Sequence, residues 1–128
     1  MICSTSAIVL NDRKYSDTSL ICNLFTKKYG RLSIISKGAR TLKNPNRAIL
    51  QPIQFIDLHY YYKPGRNIQI LKEASINKHF FTIHKNYKKI TLSYNIIDII
   101  NQICKTENPN AIIFRLVKRV LDKIDICI

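Results

Sequence analysis

Basic side chains are concentrated in the stretch from residue 29 to residue 52, YGRLSIISKGARTLKNPNRAILQP, which contains no acidic side chain. The acid-free region is longer still, because no Asp or Glu occurs between Asp17 and Asp57. Like charges gathered in this way repel one another unless a partner supplies negative charge. We therefore predict a surface that binds the phosphates of a polyanion. Its candidate residues are Lys37, Arg40, Lys43 and Arg47, with Arg13, Lys14, Lys27, Lys28 and Arg31 as neighbours.

The charge of the whole chain agrees with this prediction. Its 128 residues include 21 Lys and Arg against 8 Asp and Glu, a formal net charge of +13. Residues 1–80 carry 13 basic and 4 acidic side chains, and residues 81–128 carry 8 and 4. Nucleic acid and anionic membrane are the candidate partners. The alternative is compositional drift, since a chain rich in Ile, Lys and Asn is typical of an AT-rich coding sequence, but drift does not explain the scarcity of acids.

Tyrosines lie close to the turn that Pro64 and Gly65 predict. In a strand, Tyr60 and Tyr62 project to one side and Tyr61 to the other. One interpretation is that a pair of these rings stacks on bases. The other, favoured by apolar neighbours on the same face, is that they fill or rim a barrel. Arg66, beyond the turn, is either a further phosphate contact or part of a solvated turn.

Catalytic and metal-binding patterns have little support. The sequence has no phosphate-binding G-x-x-x-x-G-K-S/T loop, no H-E-x-x-H and no nucleophile elbow. Asp57 and His59 share a strand face, which more often indicates a cross-strand link than an acid–base couple. The four cysteines form no C-x-x-C pair and are not spaced with histidines as zinc ligands are. We expect a protein without enzymatic activity, metal or cofactor, in which the cysteines are buried free thiols.

The elements that position the basic residues are predicted to be strands over residues 1–80. Alternating apolar patterns separated by turns indicate five of them. The patterns are AIVL (Ala7–Leu10), LICNLFT with Leu20, Cys22 and Leu24 on one face, RLSIISK, IQFIDLHYYY (Ile53–Tyr62), and NIQILKEASI with Ile68, Ile70, Ala74 and Ile76 on one face. Five strands with a long basic connection after the third predict a closed OB-type barrel, so the fold class is α+β and mainly β.

Residues 81–128 are predicted to form a helical region. Ile83, Tyr87, Ile90, Tyr94 and Ile97 recur at helical spacing. A second helix is predicted to begin at Asn108 as the cap and Pro109 as the first helical residue. Its buried face is predicted to comprise Ile113, Val117, Val120 and Ile124, with Lys118 and Arg119 outside. The second half of the first helix, IIDIINQIC, is apolar around most of its circumference, so it must pack on the barrel, on a partner, or on more chain.

Localisation is predicted from what the sequence lacks. The first residues contain no basic region followed by a long apolar run, as a signal peptide would. No stretch approaches the roughly 20 apolar residues of a membrane span. We therefore expect a cytoplasmic protein.

Three segments in order resemble the amino-terminal part of the bacterial RecO family of DNA repair and recombination mediators. They are AIVLNDRKYSDTSLICNLFTKKYGRLSIISKGAR, ILQPIQFIDLHYYYKPGR and ILKEASI, and ENPNAIIFRLVKRVLDKID is similar to the family's helical region. The resemblance implies an OB barrel followed by helices, binding of single- and double-stranded DNA, and annealing of complementary strands. It also implies that the protein acts together with RecR to load RecA onto DNA that is coated by single-stranded-DNA-binding protein. The acidic tail of that coating protein docks on the helical region of RecO proteins. The family's basic barrel surface corresponds to Lys37, Arg40 and the loop to Arg47.

The chain departs from the family in length, because RecO proteins are about twice as long and some carry a zinc site in later helices. Two other functions remain open from the residues alone. One is an RNA-binding OB module of the translation machinery. The other is a protein-interaction module whose basic face meets an acidic tail.

Overall fold

The computed structural model of the chain describes residues 1–40, 44–78, 80, 82–103 and 110–127. Five strands close into a barrel in the order β1-β2-β3-β5-β4. Their bounds are β1 Ile2–Tyr15, β2 Ser19–Thr26, β3 Gly30–Ser36, β4 Phe55–Tyr61 and β5 Gln69–Lys78. The predicted fold class, a five-stranded OB-like barrel followed by helices, is confirmed. The first predicted strand proves to be the centre of a much longer one, which pairs with both β2 and β4.

The barrel closes through its one parallel pair among the described strands, β3 with β5. Ile34 lies opposite Gln69, and Ile35 opposite Ile70, while the other neighbouring strands are antiparallel. Closure removes the exposed edges that an open sheet would present. It also brings the β4–β5 connection beside β3, although the two are far apart in sequence.

Helices follow the barrel and interrupt it once. The short α1 (Asn46–Ile49) lies in the connection between β3 and β4. A 3₁₀ turn (Ile83–Lys85) leads into α2 (Tyr87–Ile103), and α3 is Ala111–Ile126. Leu50, directly after α1, is fully buried with the residues inside the barrel. The connection therefore covers one part of the barrel as well as carrying charge.

The barrel interior is filled by alternate residues of the strands. Leu20, Cys22 and Leu24 all belong to it, as the alternation of β2 predicts, whereas Phe25 lies on the opposite face. Tyr60 is 1% exposed and also lies inside, so the interpretation of this tyrosine as a barrel-filling residue is confirmed. The remaining buried members are Cys3, Ala7, Val9, Ile34, Ala39, Leu50, Ile56 and Leu58.

A second core joins the outer face of the barrel to the helices. Phe114 of α3 packs against Phe25 of β2 and Phe55 of β4, with ring centroids 5.8 Å and 5.2 Å away. Such tilted ring pairs contribute about 0.5–1.5 kcal/mol each beyond the area they bury. Ile97 and Ile100 of α2 belong to the same cluster. The helices thus pack on the barrel, one of the three possibilities that the sequence left open.

The predicted face of β5 is wrong in its first half. Glu73 pairs with His59 but Leu71 pairs with Tyr60, so Lys72 is an extra residue in the ladder. A bulge reverses the alternation of side chains, and Leu71 packs on the interior cluster instead of Ile70. The sequence pattern contains no signal for that inserted residue.

The helices also differ in detail from the predicted faces. Tyr87 and Tyr94 of α2 are exposed, and the buried positions are Ser93, Ile97 and Ile100. Asn110 caps α3 by accepting a hydrogen bond from the Ile113 N–H at 3.1 Å; the predicted cap, residues 108 and 109, lies outside the described residues. The predicted face of α3 is correct, since its four residues are buried or pack against the shared core.

Lys118 was predicted to lie largely outside with Arg119; Arg119 is exposed and Lys118 is half-buried. The Lys118 Nζ atom lies 5.1 Å from the centroid of the Phe55 ring. This position is a cation–π contact, which holds the lysine against the barrel.

Candidate nucleic-acid interface

The loop after β3 is folded against the turn between β1 and β2. Gly38 has a φ of +74°, the left-handed conformation that glycine adopts without strain, and it turns the chain sharply out of the strand. The Arg40 N–H then donates to the Thr18 carbonyl at 2.9 Å, and its Nη1 donates to the Ser16 carbonyl at 2.8 Å. Arg40 is therefore held in place by backbone groups, while Lys37 is exposed.

Arg40 lies in a concavity of about 380 Å³, which we call the arginine patch. Among the described residues, its charged lining comprises four cations from three parts of the chain and one carboxylate, Asp12. Burial raises the pKa of the Asp12 carboxyl, and a hydrogen bond to its own backbone opposes that shift. The cations are Arg13 and Lys14 from the end of β1, Arg40, and Arg47 from α1.

A larger concavity of about 620 Å³ lies elsewhere on the barrel, and we call it the tyrosine groove. Tyr29 and Tyr62 line it and are each 38% exposed. The buried Tyr60 also lines it and meets Tyr29 edge to face, with ring centroids 6.0 Å apart and planes at 88°. Burial, and then the Cys3 side chain, raise the pKa of the hydroxyl groups of both Tyr29 and Tyr60. The cations of the groove are Lys28, Arg31 and Arg66.

Gln69 organises one wall of the tyrosine groove from a buried position. Its Oε1 accepts hydrogen bonds from the Lys63 N–H at 3.0 Å and from the Arg66 Nε and Nη2 at 3.1 and 3.0 Å. Its Nε2 donates to the carbonyls of Lys63 and Arg66. Arg66 Nη2 also donates to the Tyr61 carbonyl at 2.7 Å, so this guanidinium is fixed at the groove.

The structure divides the predicted surface into two. The arginine patch contains Arg13, Lys14, Arg40 and Arg47, and the tyrosine groove contains Lys28, Arg31 and Arg66. Lys27 lines a third, polar concavity beside Lys28, and Lys37 is exposed away from both. Lys43 lies outside the described residues.

Sequence reasoning did not single out Tyr29 or Gln69. Tyr29 stands between two cations in the β2–β3 turn, which is a signal that could have indicated a stacking ring. Gln69 looks like an ordinary polar strand residue, and only closure of the barrel shows that it supports the turn before it.

Asp57 and His59 do not pair with each other. Asp57 accepts hydrogen bonds from Ser6 and from Asn77, and His59 Nδ1 is hydrogen-bonded to Ser4. His59 Nε2 lies 3.8 Å from Glu73 Oε1 on the neighbouring strand. This row of cross-strand contacts agrees with the structural interpretation and not with an acid–base couple.

A further groove, of about 420 Å³, lies between the beginning of α2 and the end of α3. Its apolar lining includes Leu92, Val120 and Ile124. Lysines surround these side chains, namely Lys88, Lys89 and Lys123. Lys89 is occupied within the protein, because its Nζ donates to Thr82 Oγ1 and to the Asp125 carbonyl.

Cys3 and Cys22 are buried thiols, as expected, and Cys127 is exposed. Burial and then the Asp12 charge raise the pKa of the Cys22 thiol to about 12. Across the described ranges, no three His, Cys, Asp or Glu side chains come together as metal ligands would. In the same part of the chain, no helix combines the length and apolarity needed to cross a membrane.

Residues 1–80 match the family described as "Recombination protein O N terminal". The chain belongs to the RecO family. Proteins named DNA repair protein RecO align with nearly all of it. That of Salinibacter ruber is 34% identical over 125 residues, covering 98% of this chain and 48% of that protein. That of Chlorobaculum parvum is 32% identical over 124 residues, covering 97% and 48%.

A third protein of that name, from Chlorobium limicola, is 34% identical over 122 residues, covering 95% of this chain and 47% of that protein. The family resemblance noted from the sequence is confirmed. The chain spans about half the length of these curated relatives. The RecO match over residues 1–80 contains every cation of the arginine patch and the tyrosine groove.

Proposed function

We propose that the chain is a non-enzymatic DNA-binding protein of recombinational repair, which binds single- and double-stranded DNA and anneals complementary strands. The observation that carries the proposal is the arginine patch, where Arg13, Arg40 and Arg47 converge with Lys14. A protein that neutralises phosphates with such side chains releases condensed counterions, and this release supplies affinity without regard to sequence. The names of the RecO relatives support repair as the setting. Because DNA is the proposed substrate, we also propose a cytoplasmic, nucleoid-associated location.

Annealing follows from the same electrostatics. Two single strands repel each other through their phosphates, and a basic surface lowers that repulsion by holding both. Contacts to phosphates fix position but carry no sequence information, so the bases stay free to find their complements. No covalent bond is made or broken, and the process needs no catalytic residue.

The test is the salt dependence of DNA binding by an Arg13→Ala/Arg47→Ala double variant. Both side chains are exposed, so the variant should fold normally. The logarithm of affinity falls with the logarithm of salt by about 0.9 per phosphate contact on duplex and about 0.7 on single strands. We expect the slope to decrease by about 1.8 and 1.4 on the two substrates.

The matched control is Arg115→Ala/Arg119→Ala, which removes two exposed cations from α3. If the salt slope of the Arg13→Ala/Arg47→Ala variant were unchanged, or if it decreased equally in the control, the assignment of the arginine patch as the DNA site would be wrong. Stronger binding to RNA than to single-stranded DNA of the same sequence would favour the translation-related alternative.

For the whole repair reaction, we propose that the chain acts with RecR to load RecA onto DNA coated by single-stranded-DNA-binding protein. The groove between α2 and α3 supports docking of an acidic, apolar tail, because Leu92, Val120 and Ile124 lie among lysines. Lys88 and Lys123 are exposed there. We expect Lys88→Glu/Lys123→Glu to weaken binding of an acidic peptide with apolar side chains and to leave DNA affinity within about twofold. Loss of DNA affinity together with peptide affinity would contradict a separate docking site.

A further inference from the structure

We infer that the tyrosine groove is a second nucleic-acid subsite, which takes unpaired bases of a single DNA strand. The inference deepens the proposed function and rests on it. It assigns selectivity for single strands to the tyrosine groove and general phosphate binding to the arginine patch.

The first support is the presence of accessible rings in a space of suitable size. The groove holds about 620 Å³, within the roughly 300–1,000 Å³ range of small-ligand sites. Tyr29 and Tyr62 each leave 38% of their surface exposed. Tyr60, behind Tyr29, holds that ring by an edge-to-face contact at 6.0 Å. Exposed rings fixed in this way are the platforms on which bases stack in OB barrels.

The second support is the charge around the rings. Lys28 and Arg31 flank Tyr29 in sequence, and Arg66 also lines the groove. No acidic residue is found among the described residues that line this groove. A base stacked on a ring therefore has cations within reach for the phosphates on either side of it.

The third support is preorganisation. Arg66 is held by Gln69 and by the Tyr61 carbonyl before any ligand is bound. The Tyr62 N–H donates to the Met1 carbonyl at 2.8 Å, which fixes the backbone that carries this ring. Groups that are already ordered lose less conformational entropy when a ligand binds. The network that supports the turn therefore also presents Arg66 and Tyr62 in fixed positions, as a binding role requires.

The groove should not admit duplex DNA. In a duplex, both faces of each base are covered by its neighbours, so no face is free to stack on Tyr29 or Tyr62. Only a single strand, or a strand end that has come apart, presents a free face. Selectivity for single strands therefore follows from ring stacking and not from charge.

The experiment compares wild type with Tyr29→Leu/Tyr62→Leu by fluorescence anisotropy on three probes. The first probe is a single strand of about 12 thymidines, a length within the site size of an OB fold. The second is a duplex of equal length, and the third is an abasic strand with the same number of phosphates. We expect the variant to lose roughly 5- to 150-fold in affinity for the thymidine strand, the equivalent of one stacked base. Its affinity for the duplex and for the abasic strand should stay within about twofold of wild type.

Tyr62→Phe, which keeps the ring, should bind the thymidine strand like wild type. Tyr87→Leu removes a tyrosine that is 84% exposed on α2, outside the groove, and is the matched control. Circular dichroism checks the fold, and if the double variant does not fold, Tyr62→Leu alone decides, since that ring is partly exposed.

Equal losses on all three probes, or no loss on the thymidine strand, would overturn the groove assignment. If Arg13→Ala/Arg47→Ala weakens binding to every probe and Tyr29→Leu/Tyr62→Leu weakens binding to none, the proposed function is retained and the assignment of the tyrosine groove is rejected. A wild-type chain that binds none of the probes removes both proposals.

Discussion

The arginine patch and the tyrosine groove are both basic concavities of one small barrel, but their linings differ in kind. The patch has four cations and one carboxylate, and none of the described residues that line it is aromatic. The groove has three cations and three tyrosines. Phosphates are common to single and double strands, whereas exposed base faces belong to single strands alone. Positive charge on an OB-like barrel can therefore serve two purposes, and the presence or absence of accessible rings distinguishes them.

Charge reversal in the patch should have the largest effect. Arg13→Glu/Arg47→Glu changes the local charge by four units, each worth about 0.5–1 kcal/mol across a hydrated contact. We expect affinity for single-stranded and duplex DNA alike to fall roughly 30- to 1,000-fold in anisotropy titrations at about 0.1 M salt. Arg115→Glu/Arg119→Glu has the same net change on α3 and serves as the control. A loss confined to single strands would mean that the two concavities do not divide the work as proposed.

Gln69→Leu should affect the groove and spare the patch. The substitution removes the hydrogen bonds that this buried amide makes with Lys63 and Arg66, and this loss costs about 1–3 kcal/mol. Urea denaturation should show that loss, and single-strand affinity should fall while the duplex salt slope is unchanged. Gln51→Leu, an exposed glutamine in the patch lining, is the control for removal of an amide. Normal stability would show that Gln69 does not support the turn.

Two glycine substitutions should have smaller effects and form a matched pair. Gly38 has a φ of +74° and Gly65 a φ of +80°. A methyl group added at Gly38 would lie 3.9 Å from its nearest neighbouring atom, Nδ2 of Asn44, and one added at Gly65 would meet no neighbouring atom within 4 Å. Each change to Ala should therefore cost about 1–2 kcal/mol from backbone strain alone. We expect Gly38→Ala to weaken DNA binding by displacing Arg40, and Gly65→Ala to weaken single-strand binding by displacing Arg66. Thermal melting measures the cost in stability, and single-strand and duplex titrations measure the effect on binding. If Gly38→Ala weakened only single-strand binding and Gly65→Ala weakened duplex binding, the assignment of the two glycines to the two concavities would be wrong.

Much of the fold could be predicted because simple periodicities determine it. Alternation places Leu20, Cys22 and Leu24 inside the barrel, and the strongly amphipathic α3 buries its predicted face. The bulge at Lys72 could not be predicted, because an extra residue changes the alternation without changing the composition. The exposure of Tyr94 depends on which face of α2 meets the barrel, and apolar side chains lie on more than one face of that helix.

The candidate site was predicted in composition but not in arrangement. The sequence identified the cations, and barrel closure then separated Arg40 from Arg31 into different concavities. Arg66 joins Arg31 only because β5 pairs with β3. Long-range pairing of this kind leaves no local signal in the sequence.

The packing of Phe114 on Phe25 and Phe55 has a consequence for how the protein can be divided. The family match ends at residue 80, yet the outer face of the barrel is covered by residues that come after it. Removing residues 81–128 would expose Ile8, Leu10, Phe25 and Phe55 to water together. The barrel and the helices should therefore melt in one cooperative transition, and a fragment that ends at residue 80 should aggregate because its outer apolar face lacks the helical residues that cover it.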